Sequence, residues 1–173
     1  MRRFFGLAAV LVALSLALPI GASAGPQGTR VPPGTVIGVF PAGQVCPDAL
    51  GEVTWTVLSG QESYVDKPDG RLMAGLGTAQ WEVRSAATGK AVVLKTAGKA
   101  TYSALQPDGT YTIHASGQGF FGFFPGDVGP GDQTAGRTFL FKGTQKGVNT
   151  TAGATIEFRY SGQIVMDVCA AIS

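Results

Sequence analysis

The sequence predicts an all-β fold: a single antiparallel β-barrel or closed β-sandwich with mostly meander connections. Three observations predict it. Apolar and polar residues alternate with a period of two over short segments, turn sequences bearing Gly, Pro or Asp recur about every ten residues, and no segment carries a helical period. Short connections place segments that are consecutive in the chain side by side in the sheet. Closure into a barrel would leave no exposed edge.

Taken in order, Gly25–Gly34 is rich in Pro and Gly and reads as a flexible leader, so the domain is expected over residues 35–173. Thr35–Phe40 forms a first strand, stopped by Pro41-Ala42-Gly43. Over Glu52–Ser59, Val53, Trp55 and Val57 fall on one side and Glu52, Thr54 and Thr56 on the other. Ser63–Asp66 is short and ends in the turn sequence Lys67-Pro68-Asp69-Gly70, where Pro presets φ and Gly accepts a positive one. Arg71–Leu76 and Thr78–Arg84 follow as separate strands, the second with Ala79, Trp81 and Val83 on one face. Ala91–Thr96 and Thr101–Leu105 read as a hairpin around Ala97-Gly98-Lys99, before a second Pro-Asp-Gly turn at Pro107.

The stretch Gly109–Gly143 is the centre of the pattern. From Thr110 to Ser116, Tyr111, Ile113 and Ala115 share one face while Thr110, Thr112, His114 and Ser116 share the other. Phe120, Phe121, Phe123 and Phe124 come next, and Phe139 with Phe141 offers a returning strand. Adjacent phenylalanines face opposite ways in a regular strand, which sends one of each pair away from a one-sided core. Thr138–Lys142 then leads through a Gly143–Gly147 turn, and Ala154–Tyr160 and Gln163–Val168 read as two strands turned by Ser161-Gly162.

Arg2 and Arg3, the apolar run Phe4–Leu18, Pro19 and Ala22-Ser23-Ala24 have the layout of a secretory signal over residues 1–24, cleaved before Gly25. The run is shorter than the ~20 residues that span a bilayer, so a secreted chain with no membrane attachment after cleavage is expected. Two of the 13 basic residues lie in that signal, which leaves the mature chain 11 basic against 11 acidic residues. Without a basic stripe to displace counterions, no nucleic acid partner is expected.

Both cysteines lie beyond the signal, and an oxidising compartment favours a structural disulfide between Cys46 and Cys169. Phe40-Pro41-Ala42-Gly43 with Cys46-Pro47, Pro107-Asp108-Gly109-Thr110, Phe124-Pro125-Gly126-Asp127 and the closing Asp167-Val168-Cys169-Ala170-Ala171-Ile172 resemble a group of small exported actinobacterial proteins of unknown function. That resemblance implies export, a single domain and a Cys-Cys link near the two ends. It brings no activity and no site.

Candidate chemistry is sparse. His114 is the sole imidazole, and with Thr112 or Ser116 on its strand face it offers an acid-base group; no Gly-x-Ser-x-Gly elbow accompanies it, and the competing reading is a surface histidine. Glu52, Glu62, Glu82 and Glu157 are the glutamates from which a glycosidase pair would have to come. Asp127 and Asp132 flank Val-Gly-Pro-Gly and present hard oxygens of the kind Ca²⁺ takes, or form an ordinary glycine-rich loop. Asn149-Thr150-Thr151 meets the N-glycosylation pattern but reads as a plain loop in a bacterial chain. The phenylalanines either fill the core or wall an apolar pocket.

The expectation is therefore a secreted non-catalytic β domain, without cofactor, catalytic residue or metal. It would bind a small apolar ligand or a surface partner, with His114, Thr112, Phe121 and Phe123 as candidate ligand residues. The alternative is a small barrel enzyme, an isomerase or hydrolase, using His114.

Overall fold

The computed structural model describes residues 29–61, 63–66, 72–131 and 136–173, so the expected signal lies outside the described residues. The strands are β1 (Thr29–Arg30), β2 (Val36–Phe40), β3 (Val53–Gly60), β4 (Ser63–Asp66), β5 (Leu72–Ser85), β6 (Ala91–Tyr102), β7 (Thr110–Phe123), β8 (Arg137–Thr150) and β9 (Thr155–Asp167). A four-residue helical turn, α1 (Val168–Ala171), closes the chain. All pairings are antiparallel, in the order β1-β4-β5-β6-β7-β8-β9, with β3 also on β5 and β2 on β3.

β3 and β4 pair with successive halves of β5, and β2 and β1 pair with β3 and β4 in turn. The chain is thus a seven-strand meander whose first two strands are each broken once. The sheet curls into a half-barrel. Among the described strands β9 pairs only with β8 and β2 only with β3, so no pairing closes a ring. The all-β, meandering, antiparallel character read from the sequence is what the chain forms.

The strands are longer than the sequence suggests, for one shared reason. Leu72–Ser85, Ala91–Tyr102, Arg137–Thr150 and Thr155–Asp167 each run straight through a glycine that reads as a break or a turn: Gly77, Gly98, Gly143 and Gly162. These glycines are not turns. They pair directly, Gly77 with Gly98, Gly98 with Gly117, Gly117 with Gly143 and Gly143 with Gly162, so one line of glycine crosses five strands. Gly77, Gly117, Gly143 and Gly162 have φ of 135°, 103°, 132° and 130°, a region closed to most other residues. A Cβ on Gly98, Gly117, Gly143 or Gly162 would run into a backbone carbonyl of the adjoining strand, that of Ser116, Ala97, Ser161 or Lys142 respectively. The line is a crease, where the sheet bends and neighbouring backbones close up.

Two apolar clusters follow. The larger takes Val45, Leu50, Val53, Val57, Trp81, Val83, Leu94 and Leu140, together with Val168 and Ile172 from the last turn. The Cys46–Cys169 disulfide sits inside it, both residues 1% exposed and their Cα atoms 5.5 Å apart. The Thr138 hydroxyl donates to Val45 O (2.8 Å) and the Thr88 hydroxyl to Ile172 O (2.7 Å), which ties the Val45 segment to β8 and the chain end to the β5–β6 turn. The smaller cluster holds Phe123, Phe139 and Phe141, with Phe121 and Phe158 against it. Phe120 and Phe124 pack on the larger cluster from β7 and its following residue, so beyond the crease the phenylalanines are covered on both sides of the strand. The expectation that one of each pair leaves the core is corrected by this second cluster.

The Pro107-Asp108-Gly109 turn is as the sequence reads. Gly109 has φ of 77°, and Asp108 Oδ1 accepts from the Thr110 hydroxyl (2.7 Å) and the Thr110 N–H (3.0 Å). These two bonds, the hydroxyl first, hold the Asp108 carboxyl below its ordinary pKa. A lowered folded-state pKa gives stabilisation that is complete above the unfolded-state value and is lost as pH falls through the folded one. In an NMR titration the Thr110 amide is expected to shift with a midpoint below that of a free aspartate; a midpoint at or above the free value would show that the turn is not formed.

Candidate functional site

The curl of the sheet leaves a half-open groove of about 580 Å³ on its inner side. β2 contributes Ile37–Phe40, β3 Trp55, β5 Trp81, β6 Thr96 and Ala100, β7 Ile113, Ala115 and Phe120, and β8 Gln145. The groove straddles the crease. On the Tyr111–Ala115 side the alternating inner residues Ile113 and Ala115 reach it, and on the far side Phe120, Gly122 and Phe124 do. Leu76 and Val39, 63% and 54% exposed, make its lip apolar as well.

The floor is aromatic and tightly set. The Trp55 ring lies 4.5 Å from Phe40 and 4.8 Å from Phe120, and Trp81 lies 5.1 Å from Phe120, the last two pairs edge to face. A Cβ on Gly122 would approach the Trp55 ring to 2.8 Å, so only glycine lets the indole lie against β7 here. Trp81 Nε1 donates to Thr96 Oγ1 (3.1 Å). Trp55 Nε1 is enclosed with no hydrogen-bond partner, a cost of about 1–3 kcal/mol that the surrounding ring contacts must offset.

A second hollow, about 90 Å³, adjoins the first and shares Ile113, Phe121, Gly122, Phe124 and Gln145 as a common wall. Its remaining lining is more polar and includes Asp127, Asn149 and Thr155. Asp127 Oδ2 accepts from Phe124 N and Oδ1 from Thr155 N, both at 2.8 Å, so this 6% exposed carboxylate fastens the Phe124–Asp127 turn to β9. Asn149 Nδ2 donates to Thr155 Oγ1 (3.2 Å).

The candidate residues divide between two faces. His114 is exposed on the outer face of β7, opposite Lys146 of β8 and Thr101 of β6, and Thr112 shares its side of the strand. Neither lines the groove. Phe121 lines both hollows, and Phe123 lines the small one from the phenylalanine cluster. Glu82 pairs with Arg84 (2.9 Å) and Glu157 with Arg159 (2.8 Å), each two residues along its own strand, and Glu62 lies outside the described residues. Asp132 also lies outside them, so of the two acids considered for Ca²⁺ only Asp127 is placed. Asn149, 6% exposed at the end of β8, belongs to the wall of the small hollow.

Sequence reasoning passed over Ile113, Ala100, Trp55 and Gln145 as lining residues. Trp55 and Ile113 read as core because an inward-facing apolar residue looks the same whether its neighbours fill the space or leave it open. No family model matches the chain, and neither the curated proteins nor the solved structures contain a similar one.

Proposed function

We propose that the chain is a secreted, non-catalytic β domain that binds a small apolar ligand in the groove across the crease. The observation that carries this reading is the groove itself. Its volume of about 580 Å³ falls in the range of roughly 300–1,000 Å³ usual for small-molecule sites, and its lining of aromatic and aliphatic side chains with few polar groups is of the usual kind. Fold and ligand space are here one feature, because the glycine crease that bends the sheet also opens the hollow. The exposed, outward position of His114 weighs against the alternative of a barrel isomerase or hydrolase built on that residue. Export belongs to the same proposal, and a buried disulfide is compatible with it.

The test uses N-phenyl-1-naphthylamine, an uncharged apolar fluorophore. Its emission is expected to rise on saturable one-to-one binding, and Ala100→Trp, which places an indole in the groove, is expected to weaken binding at least tenfold while the melting transition persists. An absence of saturable binding, or binding indifferent to Ala100→Trp, would overturn the reading.

A further inference from the structure

Within the groove one polar side chain stands out by its lack of partners. Gln145 is 3% exposed, yet its amide makes no hydrogen bond with any described residue. Trp55 Nε1 is the single enclosed side-chain atom without a partner among the described residues, so the Gln145 amide is not sealed in protein. It opens onto the hollows it lines, at their common wall. A buried primary amide left unpaired is costly, and natural interiors rarely keep one without water or a ligand to bond it. Asn149 Oδ1, on the wall of the small hollow, likewise takes no hydrogen bond from a described residue, its Nδ2 alone being engaged.

Resting on the apolar-ligand reading above, we infer that the ligand is an uncharged amphiphile whose single hydroxyl head is recognised by Gln145 while its apolar body lies against Trp55, Trp81 and Phe120. The chemistry of the donors and acceptors selects that head. Gln145 supplies both a carbonyl and N–H groups, and a hydroxyl answers both, donating to one and accepting from the other. Asn149 Oδ1 adds an acceptor farther along the wall of the small hollow. A carboxylate head would bring negative charge next to Asp127, which has no cationic partner among the described residues, and would lack a proton to donate. Hard oxygen acceptors around the small hollow thus admit a donor and repel an anion.

The experiment displaces N-phenyl-1-naphthylamine with four probes of equal chain length: 1-decanol, decane, decanoate and decylamine. Decanol is expected to compete about tenfold better than decane or decanoate, the worth of a buried hydrogen bond. Gln145→Leu is expected to erase the preference over decane while leaving the fluorophore bound, which separates loss of head recognition from loss of the groove. Equal competition by decanol and decane, or a preference that survives Gln145→Leu, overturns the inference and leaves the apolar-ligand reading standing. Tighter competition by decylamine overturns it too, assigning recognition to the Asp127 charge. If the fluorophore itself does not bind, the groove reading fails first.

Discussion

Replacing Cys46 and Cys169 together by alanine is expected to remove about 4 kcal/mol of stability and to lower the thermal midpoint by about 8–16 °C. The bridge joins residues 123 apart in sequence, so in its absence the unfolded chain regains nearly all of its end-to-end freedom. The bond also lies in the tightest part of the larger cluster, with Val45, Val168 and Ile172 fully buried around it, so the two alanines leave a space where the sulfurs were. Urea unfolding of the double variant beside the oxidised and reduced parent measures the effect. Reduction of the parent should reproduce most of the loss, and reduction of the variant should change nothing. A double variant within about 1 kcal/mol of the parent would mean that packing alone holds the two ends together.

The second large effect is expected at the crease. Gly143→Ala and Gly117→Ala should each cost about 3–5 kcal/mol, combining a strained positive φ with a collision against a neighbouring strand. The new methyl meets Ser161 O in the first case and Ala97 O in the second, and carbonyls held in a ladder cannot step aside as a flexible side chain can. Gly89→Ala is the control. Gly89 also has a positive φ, 68°, but nothing lies within 4 Å of its added Cβ, so it should lose only about 1–2 kcal/mol. Chemical unfolding of the three variants side by side decides the matter. Equal losses at all three positions would assign the cost to φ alone and remove the close approach from the account.

The same glycines mark where the sequence stops being legible. Alternation at Val53-Trp55-Val57, at Ala79-Trp81-Val83 and at Tyr111-Ile113-Ala115 is local, and each of these inner faces is where the periodicity puts it. The pairing of Cys46 with Cys169 is legible because two cysteines allow one bond. Gly98 and Gly162 look like turn residues because a glycine flanked by Ala-Lys or Ser-Gln has the same local chemistry in a turn and in a bent strand. Only the pairing register, Gly77 to Gly98 to Gly117 to Gly143 to Gly162, tells the two apart, and register is a property of the sheet rather than of any window of sequence. Gln145 was hidden for a related reason. In the sequence it is one more polar residue between Thr144 and Lys146, and its burial comes from its register opposite Ala115, which puts it on the inner face of the sheet.

Val168 and Ile172, the last apolar residues of the chain, complete a cluster that begins at Val45. From β5 to β9 each strand pairs with the next one in the chain, so these hairpins can zip in sequence with modest loop-closure cost. The larger cluster is different. It draws together residues from both ends of the domain, Val45 and Leu50 with Val168 and Ile172. Docking of the last turn is therefore expected to follow pairing of the β5–β9 hairpins, because it joins segments far apart in the chain. A protein shortened by that turn would keep much of its sheet and yet present an uncovered apolar surface, the condition under which partly folded β proteins associate with one another.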